Sequence, residues 1–379
     1  MIKFMRIGID ARLLERKMTG VGRYLLNILK YIPEFDNQND YFLFSYGKLS
    51  HYEKERMKSI STINFAPRGV LQKIISPFWL NFILPKYLGR YKIDLFFSPN
   101  HFLSLKKLKS KSIIVIHDVF HKVNKNYHPL YYRKYVDFFL PRAIKNSNLI
   151  LTISECSKRD IIKFYNVPEE KIKVIYPAAD EIFQSKDLTD KEKEEYREKY
   201  NLPEKFILYT GVLEERKNLE GIIKIADLIK DKTEIPILLF GRIGHRGKKY
   251  LREINKRENI QYKGFIESKD LSFIYNLATI FLFPSFYEGF GLTPLEAMQS
   301  GVPVITSNTS SLPEVVGEGG IMRKPNDYEG FTDDILRLLE DKDFYDKMRR
   351  QGIEQAKNFS WENTTEEVVK LFNRVFSIK

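Results

Sequence analysis

Short runs of apolar residues recur along the chain, and longer stretches with a helical spacing of apolar positions separate them. Runs that are apolar on both faces are typical of the buried strands of a parallel sheet. In the first half of the chain they predict strands at residues 4–10, 41–45, 93–98, 112–117 and 149–154. In the second half they predict strands at residues 205–210, 235–240, 260–264, 279–283 and 302–306. Strands that alternate with helices in this way indicate an α/β fold.

The alternation falls into two series of similar size, and a charged segment at residues 186–200 separates them. Two such series predict two Rossmann-like domains that face each other across a cleft, with a ligand bound between them. We place the first domain at residues 1–185 and the second at residues 186–360. The final stretch, residues 361–379, predicts a helix with one apolar side that packs on a domain, with a return to the first domain as one option.

The stretch at residues 283–303, FPSFYEGFGLTPLEAMQSGVP, points most directly to a ligand. A buried strand gives way to a glycine loop, and a helix is predicted to open at Thr293 with Pro294 just inside it, where proline is favourable. The free N–H groups and positive dipole end of a helix bind anions, typically phosphate. Glu288 and Glu296 lie on either side of this helix start. A carboxylate beside an anion site needs hydroxyl groups or a cation as partners, so the combination suggests a phosphorylated sugar.

Two basic loops follow strands in the same half of the chain. The first, GVLEERKN, carries Arg216 and Lys217, which can reach a diphosphate at the carboxyl edge of the sheet. A solvated basic turn is the alternative for an isolated Arg-Lys pair, but the anion-binding helix start favours the functional interpretation. The second loop carries Gly241 and Arg242, and its glycines could let a nucleotide base lie against the backbone.

A glycine pair, Gly20 and Gly22, precedes a helical pattern near the start of the chain. The pair resembles the beginning of a dinucleotide-binding fingerprint. However, Leu25 stands where the third glycine would be, and no acidic residue closes a neighbouring strand at the right distance. We therefore favour a glycine loop that lets a ligand approach the backbone over a nicotinamide site.

Candidate metal ligands are few, and their contexts disfavour a metal site. His117 ends a predicted strand at the edge that would face the cleft, although a lone histidine is more often structural. A metal held by His117 and His121 is disfavoured because the run begins as a strand rather than a helix. A D-x-D sequence at residues 341–343 lies between two helical stretches, where Asp is a routine N-cap. We therefore predict no metal site.

Composition narrows the class of protein. The 379 residues are 43% apolar, which suffices for two packed domains. A single cysteine, Cys156, excludes an internal disulfide and fits a reducing compartment. The N-terminal sequence lacks the apolar region of a signal peptide, and no run approaches the roughly 20 apolar residues that span a bilayer. We expect a cytoplasmic protein.

The net charge of +13 is carried by the first half of the chain. Residues 1–185 contain 31 Lys and Arg against 16 Asp and Glu, a balance of +15, whereas residues 186–379 contain 31 against 33, a balance of −2. A basic half indicates an anionic surface or partner. Residues 68–92 mix basic residues with Phe78, Trp79, Leu80, Phe82 and Ile83. A helix packed on the sheet is the simpler interpretation, and an amphipathic surface that touches membrane lipid is the alternative.

The ordered set of motifs resembles the retaining glycosyltransferases of family 4, which have the GT-B fold. The set covers nearly the whole chain: GIDAR, TGVGRY, IHD, ISECSKRDI, VIYPAAD, GVLEERKN, FGR, FPSFYEGFGLTPLEA, SGVPVITS and FSW. The resemblance implies an α/β, GT-B type architecture of two Rossmann-like domains facing across a cleft.

The resemblance also implies a role for each candidate side chain. Glu296 would bind the ribose hydroxyls of a nucleotide, and Glu288 would contact hydroxyls of the donor sugar near its anomeric carbon. Arg216 and Lys217 would neutralise the diphosphate as it leaves. His117 would lie near the donor sugar.

Backbone groups complete the implied donor site. The positions expected to contact the donor phosphates are Phe290, Gly291, Leu292 and Thr293 in the second domain and Gly20 and Gly22 in the first. Gly241 and Arg242 would contribute to donor binding from the second basic loop. Family members often carry Arg or Ser where this chain has Val212, so neutralisation of the phosphates would depend more heavily on the Arg-Lys pair.

The implied reaction is retaining transfer of a hexose from a nucleotide diphosphate sugar, with GDP-mannose the best donor by likeness to mannosyltransferases of bacterial surface polysaccharides. No cofactor or metal is implied, because the helix dipole and the cations already stabilise the diphosphate. The basic first domain would bind a saccharide acceptor, linked to lipid pyrophosphate, at the anionic inner face of the plasma membrane. Two alternatives stay open: an epimerase of the same architecture acting on UDP-GlcNAc, and a basic nucleic-acid-binding protein, for which no recognised motif is present.

Overall fold

The computed structural model describes residues 4–15, 19–49, 57–64, 67, 69–127 and 129–377. Two compact units are present, and each is described by itself. Unit 1 comprises Met1–Val123, Pro129–Pro177 and Trp361–Lys379, and unit 2 comprises Asn124–His128 and Ala178–Ser360. No helix within the described ranges is long and apolar enough to cross a membrane.

Unit 1 is built on a parallel sheet that contains seven strands within the described residues. The strands are β1 (Arg6–Asp10), β2 (Asp40–Ser45), β3 (Met57–Ser61), β4 (Leu95–Ser98), β5 (Lys111–Ile116), β6 (Leu149–Thr152) and β7 (Ile172–Val174). Their order in the sheet is β3-β2-β1-β4-β5-β6-β7. The order reverses between β1 and β4, the kind of switch point outside which ligands of doubly wound sheets bind.

Helices cover both faces of this sheet. They are α1 (Gly20–Phe35), α2 (Gly69–Phe78), α3 (Leu84–Arg90), α4 (Phe120–Val123), α5 (Leu130–Asn146) and α6 (Glu155–Tyr165). A π-helical turn, Trp79–Ile83, joins α2 to α3. Trp79, Leu140 and Ile161 belong to one buried cluster with the side chains of the strands beneath them. This burial places α2, α3, α5 and α6 on the same face of the sheet.

Unit 2 has a parallel sheet whose order follows the same scheme. Its strands in the described range are β8 (Ile207–Thr210), β9 (Ile237–Phe240), β10 (Ile260–Gly264), β11 (Ile280–Phe283), β12 (Val304–Ser307) and β13 (Ile321–Arg323). They lie in the order β10-β9-β8-β11-β12-β13. The switch point of unit 2 therefore lies between β8 and β11.

The helices of unit 2 begin with the segment that the sequence marks as charged. They are α7 (Asp190–Tyr200), α8 (Leu219–Ile229), α9 (Gly247–Ile254), α10 (Ser268–Leu277), α11 (Leu292–Gln299), α12 (Leu312–Val316), α13 (Tyr328–Glu340) and α14 (Lys342–Ala356). Thr189 and Glu192 form a reciprocal capping box at the start of α7. Asp341, from the D-x-D sequence, caps α14 by accepting a hydrogen bond from the Phe344 N–H at 2.9 Å.

The last helix, α15 (Trp361–Ser377), belongs to unit 1 although it follows all of unit 2 in sequence. It packs against α1, and its Phe372 ring meets the ring of Phe97 on β4 edge-on at 5.3 Å. The Thr364 hydroxyl donates to the carbonyl oxygen of Tyr176 at 2.7 Å. One side of α15 is therefore part of the core of unit 1.

All ten strands predicted from the apolar runs are present, with ends that differ by at most two residues. Among the strands of the described residues, the pattern missed β3, β7 and β13. Each of them is an edge strand of its sheet, and β7 and β13 have only three residues. An edge strand is buried on fewer sides, so its sequence carries no continuous apolar run.

Candidate functional site

Two loops meet at the switch point of unit 2, because β8 and β11 are neighbours and both end at the same edge of the sheet. The loop after β8 carries Arg216 and Lys217, and the loop after β11 carries Glu288. The structure thus brings together three of the side chains that the sequence singles out.

Glu288 is the centre of this cluster. The residue is 7% exposed, and its carboxylate accepts two hydrogen bonds from Lys217 Nζ, at 2.6 Å to Oε1 and 2.8 Å to Oε2. Arg216 Nη1 donates to Glu288 Oε2 at 3.1 Å, and the Ser285 hydroxyl donates to Oε1. Burial alone would raise the pKa of Glu288, but Arg216, Lys217 and the hydrogen bonds outweigh it and lower that pKa below its ordinary value. Glu288 is therefore a carboxylate at neutral pH.

Arg216 is held in several directions at once. Its Nη1 donates to the Tyr287 carbonyl oxygen at 2.6 Å, and its Nε and Nη2 donate to Glu214 Oε1 at 3.0 and 2.8 Å. Burial lowers the pKa of Lys217, and the charge of Arg216 lowers it further. Both cations donate to the Glu288 carboxylate, so the two positive charges lie close together with Glu288 between them.

Asn218 fixes the basic loop in place. It adopts a left-handed backbone conformation (φ +57°), and its side chain caps α8 by accepting from the Gly221 N–H at 3.0 Å. The same side chain donates to the carbonyl oxygens of Pro284 and Pro325 at 3.0 and 2.7 Å. The position of Lys217 is thereby fixed by a residue that is itself 1% exposed.

A hydroxyl-rich loop after β12 supports the Glu288 loop. The Ser310 hydroxyl accepts from the Glu288 N–H at 2.8 Å, and Ser311 Oγ lies 2.9 and 2.6 Å from the carbonyl oxygens of Glu288 and Phe290. Sequence reasoning missed both serines, although the run SNTSS directly after a strand is a signal for such a loop.

Helix α11 begins at Leu292, one residue before the predicted start, so the expectation for this boundary is corrected. Gly291 is the N-cap residue with φ +125°, a conformation that favours glycine. Pro294 is therefore the third helical residue, one position further inside the helix than predicted. It is still tolerated, because the first four N–H groups of a helix have no partner within it. The backbone at Phe290, Gly291, Leu292 and Thr293 forms the N-terminal end of α11.

Glu296 lies one turn into α11 and is 8% exposed. The Tyr275 hydroxyl donates to Glu296 Oε2 at 3.0 Å, and it pairs with the Thr210 hydroxyl at 2.6 Å. Since Tyr275 uses its proton towards the carboxylate, Thr210 is the donor of the second bond. Sequence reasoning missed Tyr275, which is fully buried on the inner side of α10 and has the spacing of a core residue.

Gly241 has a packing reason of its own. It has φ +149°, and a Cβ at this position would lie 1.7 Å from the carbonyl oxygen of Gly211. The loops after β8 and β9 thus touch through their backbones, whether or not a base lies there. Arg242 places its guanidinium over the ring of Phe265 at 4.4 Å, and that ring is 46% exposed.

The predicted residues of unit 1 lie at the start of α1 and the end of β5. Thr19 caps α1 by accepting from the Gly22 N–H at 3.2 Å. A Cβ at Gly20 would meet nothing within 4 Å, so packing does not require this glycine.

His117 Nε2 lies 2.9 Å from the Pro99 carbonyl oxygen, which can only accept, so Nε2 carries the proton. Burial lowers the pKa of His117, and the ring is therefore neutral at pH 7.

In the part of the chain that the structure describes, no group of three or more His, Cys, Asp or Glu residues is placed to hold a metal ion. His121 instead pairs with the Tyr165 hydroxyl at 2.8 Å. The chemistry of the unit 2 site is thus that of a buried carboxylate, two cations and a helix N-terminus, a set suited to a ligand with phosphate and hydroxyl groups.

Comparisons with known proteins match this chain to glycosyltransferases. Residues 191–359 match the model of the glycosyl transferases group 1, and residues 18–181 match that of glycosyltransferase family 4. The chain is 30% identical to the O-antigen chain mannosyltransferase B of Escherichia coli, over 97% of this chain and 99% of that protein. It is 25% identical to the O-antigen chain mannosyltransferase RfbU of Salmonella typhimurium, over 86% and 88% of the two chains.

A solved structure supports the fold. The sucrose-phosphate synthase of Thermosynechococcus elongatus superimposes with a TM-score of 0.77, covering 99% of this chain and 100% of that one at 18% identity. The two matched family models together cover most of the chain, and the O-antigen chain mannosyltransferase B matches almost its whole length. The chain belongs to the group 1 glycosyl transferases of family 4, which have the GT-B fold.

Proposed function

We propose that this glycosyltransferase moves a hexose from a nucleotide diphosphate sugar to a saccharide acceptor with retention of the anomeric configuration. The observation that carries the proposal is the cluster of Glu288, Arg216 and Lys217 at the switch point of unit 2. It combines positive charge for a leaving diphosphate with a carboxylate for sugar hydroxyls.

Stabilisation of the leaving group is the main contribution that we assign to unit 2. Arg216 can bind phosphate oxygens through its planar guanidinium, and Lys217 acts as a point charge. The N–H groups at Phe290–Thr293 add donors that are already oriented. Such preorganised groups stabilise developing charge without reorganisation, and removal of one donor typically costs about 100- to 1000-fold in rate.

Retention is supported by the state of the buried carboxylate. An inverting transfer needs a general base that takes the proton of the acceptor hydroxyl. Glu288 is a poor general base, because two cations and a hydroxyl already bind it and its pKa is lowered. In our proposal the departing phosphate accepts that proton, and Glu288 orients the donor sugar through its hydroxyls.

The nucleotide is assigned to the remaining residues of unit 2. We propose that Glu296, oriented by Tyr275, binds the ribose hydroxyls, and that the base lies beside Gly241 and Arg242. The favoured donor is GDP-mannose, because the relatives that span most of the chain are mannosyltransferases by name. No metal is needed in this scheme, since Arg216 and Lys217 supply positive charge for the diphosphate.

Unit 1 supplies further residues in this proposal. Gly20 and Gly22 would allow phosphate to approach the backbone, which agrees with the absence of a packing reason for glycine at position 20. His117, with Nε2 protonated, offers Nδ1 as an acceptor for a hydroxyl of the donor sugar. The acceptor is proposed to be a saccharide linked to lipid pyrophosphate, used at the inner face of the plasma membrane for surface polysaccharide synthesis.

The decisive experiment incubates the purified enzyme with GDP-mannose, GDP-fucose, UDP-glucose and UDP-GlcNAc, each with a synthetic lipid-linked acceptor. We expect transfer from GDP-mannose in the presence of EDTA, and an α-linked product from the α-linked donor by NMR. A β-linked product would refute retention, and loss of activity with EDTA that Mg²⁺ or Mn²⁺ restores would refute metal independence. Turnover of UDP-GlcNAc without acceptor would identify an epimerase instead.

A further inference from the structure

Unit 1 carries a stripe of exposed apolar side chains on α2 and the π-helical turn after it. The stripe consists of Leu71, Ile74, Phe78 and Phe82, which are 50%, 65%, 53% and 58% exposed. Spacings of three and four residues place them along one side of the helical segment. Large apolar side chains that are this exposed and contiguous mark an interaction surface rather than ordinary surface variation.

The opposite side of the same segment is fixed to the core. Trp79 is fully buried, and its indole N–H donates to the Thr62 hydroxyl at 2.7 Å. The guanidinium of Arg12 stacks on the Trp79 ring at 4.2 Å and donates to the Ser76 hydroxyl at 2.6 Å. The segment is thus held firmly on unit 1 with its apolar stripe directed outwards.

A second element extends the stripe across the surface of unit 1. The Leu105 N–H donates to Asn81 Oδ1 at 2.7 Å, and the Leu105 carbonyl accepts from Asn146 Nδ2 at 2.8 Å. Leu105 therefore joins the π-helical turn to the end of α5. On α5, Phe138 is 47% exposed and lies beneath the guanidinium of Arg142 at 3.8 Å.

Exposed cations accompany these apolar side chains. Lys106 and Lys107 follow Leu105 directly, Arg142 and Lys145 lie on α5 after Phe138, and Lys86 follows Phe82 by one turn. Aromatic and aliphatic side chains surrounded by Lys and Arg are the composition of surfaces that bind at the boundary between lipid headgroups and acyl chains. We call this set, Leu71, Ile74, Phe78, Phe82, Leu105 and Phe138 with the five cations, the basic apolar surface.

We infer that the basic apolar surface binds the headgroup region of an anionic lipid bilayer. The inference rests on the proposed function, because a lipid-linked acceptor lies in a bilayer, and the enzyme must reach that bilayer to use it. Sequence analysis pointed to residues 68–92 alone, and Arg68 lies outside the described residues. The part contributed by Leu105 and α5 comes from the fold. The excess of +15 in residues 1–185 favours a negatively charged partner.

The test is flotation of the full chain with vesicles of phosphatidylglycerol and phosphatidylcholine, compared with phosphatidylcholine alone. We expect binding to the anionic vesicles that weakens with added salt. The double variant Phe78→Ser, Phe82→Ser should reduce partition by about tenfold for each residue, since each substitution removes an apolar side chain that the bilayer would bury. Lys106→Ser with Lys107→Ser should reduce it by about fivefold for each cation, and only on anionic vesicles.

The matched control is Phe4→Ser, which removes an aromatic side chain that is 60% exposed elsewhere on unit 1. It should leave partition unchanged, and the thermal midpoints of all variants should match that of the wild type. Equal flotation of the Phe78→Ser, Phe82→Ser variant and the wild type would overturn the inference. So would a dimer in solution that the same variant converts to a monomer, because the surface would then bind a second copy.

The outcome is separable from that of the proposed function. Hexosyl transfer to a short saccharide without lipid should be unchanged in the Phe78→Ser, Phe82→Ser variant, whereas transfer to a lipid-linked acceptor in vesicles should fall with partition. If the wild type transfers no sugar to either acceptor but still floats with anionic vesicles, the proposed function fails and the lipid-binding surface stands.

Discussion

Replacement of Glu288 by glutamine tests the charge cluster most directly. The change keeps the shape of the side chain and removes its negative charge, so Lys217, which is 8% exposed, is left beside Arg216 without that counter-charge. Loss of one partner of a buried ion pair costs about 3–5 kcal/mol. At about 2–4 °C per kcal/mol for a unit of this size, the melting temperature of unit 2 should fall by about 6–20 °C.

The direction of the pH dependence follows from the lowered pKa of Glu288. A carboxylate whose pKa is lower in the folded state stabilises the fold above its ordinary pKa of 4.5, and this stabilisation is lost as the pH falls through the folded value. Glutamine does not titrate. The difference in the free energy of unfolding between wild type and Glu288→Gln should therefore be largest near neutral pH and shrink in acid.

Calorimetry with and without GDP completes the assay. If the diphosphate binds Arg216 and Lys217 as proposed, it replaces the missing negative charge, and GDP should raise the melting temperature of Glu288→Gln by more than that of the wild type. Glu214→Gln is the matched control, because it removes a different carboxylate partner of Arg216. Glu214 is about a quarter exposed, so its ion pair with Arg216 contributes at most about 1 kcal/mol. A Glu288→Gln protein as stable as the wild type at neutral pH would refute the reasoning.

Four further substitutions test the neighbouring groups and the packing of the loops. Glu296→Ala should weaken GDP binding by calorimetric titration while Glu288→Ala chiefly lowers kcat, since one is assigned to the nucleotide and the other to the reacting sugar. Tyr275→Phe removes the hydrogen bond to the Glu296 carboxylate, worth about 1.5–3 kcal/mol, and should raise the Kd for GDP by roughly tenfold or more with a smaller change in kcat. Gly241→Ala should destabilise unit 2 by about 3 kcal/mol in denaturant unfolding, because its Cβ would meet the Gly211 carbonyl.

Each of these has a result that contradicts it. Wild-type kinetics for both glutamate variants would remove the assignment of the site. An unchanged Kd in Tyr275→Phe would show that Glu296 needs no positioning by that hydroxyl. For Gly241→Ala the control is Gly264→Ala, which also has a positive φ but nothing within 4 Å of the new Cβ, and equal destabilisation of the two would remove the packing argument.

The sequence predicts the fold well where strands are buried on both faces, because burial there demands a continuous apolar run. It also identifies Glu288, Arg216 and Lys217, since charged residues directly after buried strands have few structural reasons to be there. It does not predict that these side chains bind one another. That contact depends on the pairing of β8 with β11, which are separated by more than 60 residues and by two other elements of the sheet in sequence.

Positioning residues escape sequence analysis for a different reason. Tyr275 has the spacing of a core residue and is one, and only the location of its hydroxyl group gives it a second role. Ser310 lies in a loop whose backbone path no apolar pattern fixes, and its left-handed conformation (φ +54°) is set by the contacts around it. Both roles are properties of the assembled sheet edge rather than of a local pattern.

The position of α15 in the chain has a consequence for synthesis. Unit 1 begins to emerge from the ribosome first, but the helix that packs on its α1 follows the 183 residues from Ala178 to Ser360. Domains generally fold in the order of their synthesis. Here unit 2 is continuous apart from one short segment that precedes it, so it can complete its core while unit 1 still exposes the apolar side chains that α15 will cover. The first unit to be translated is thus the last to be finished.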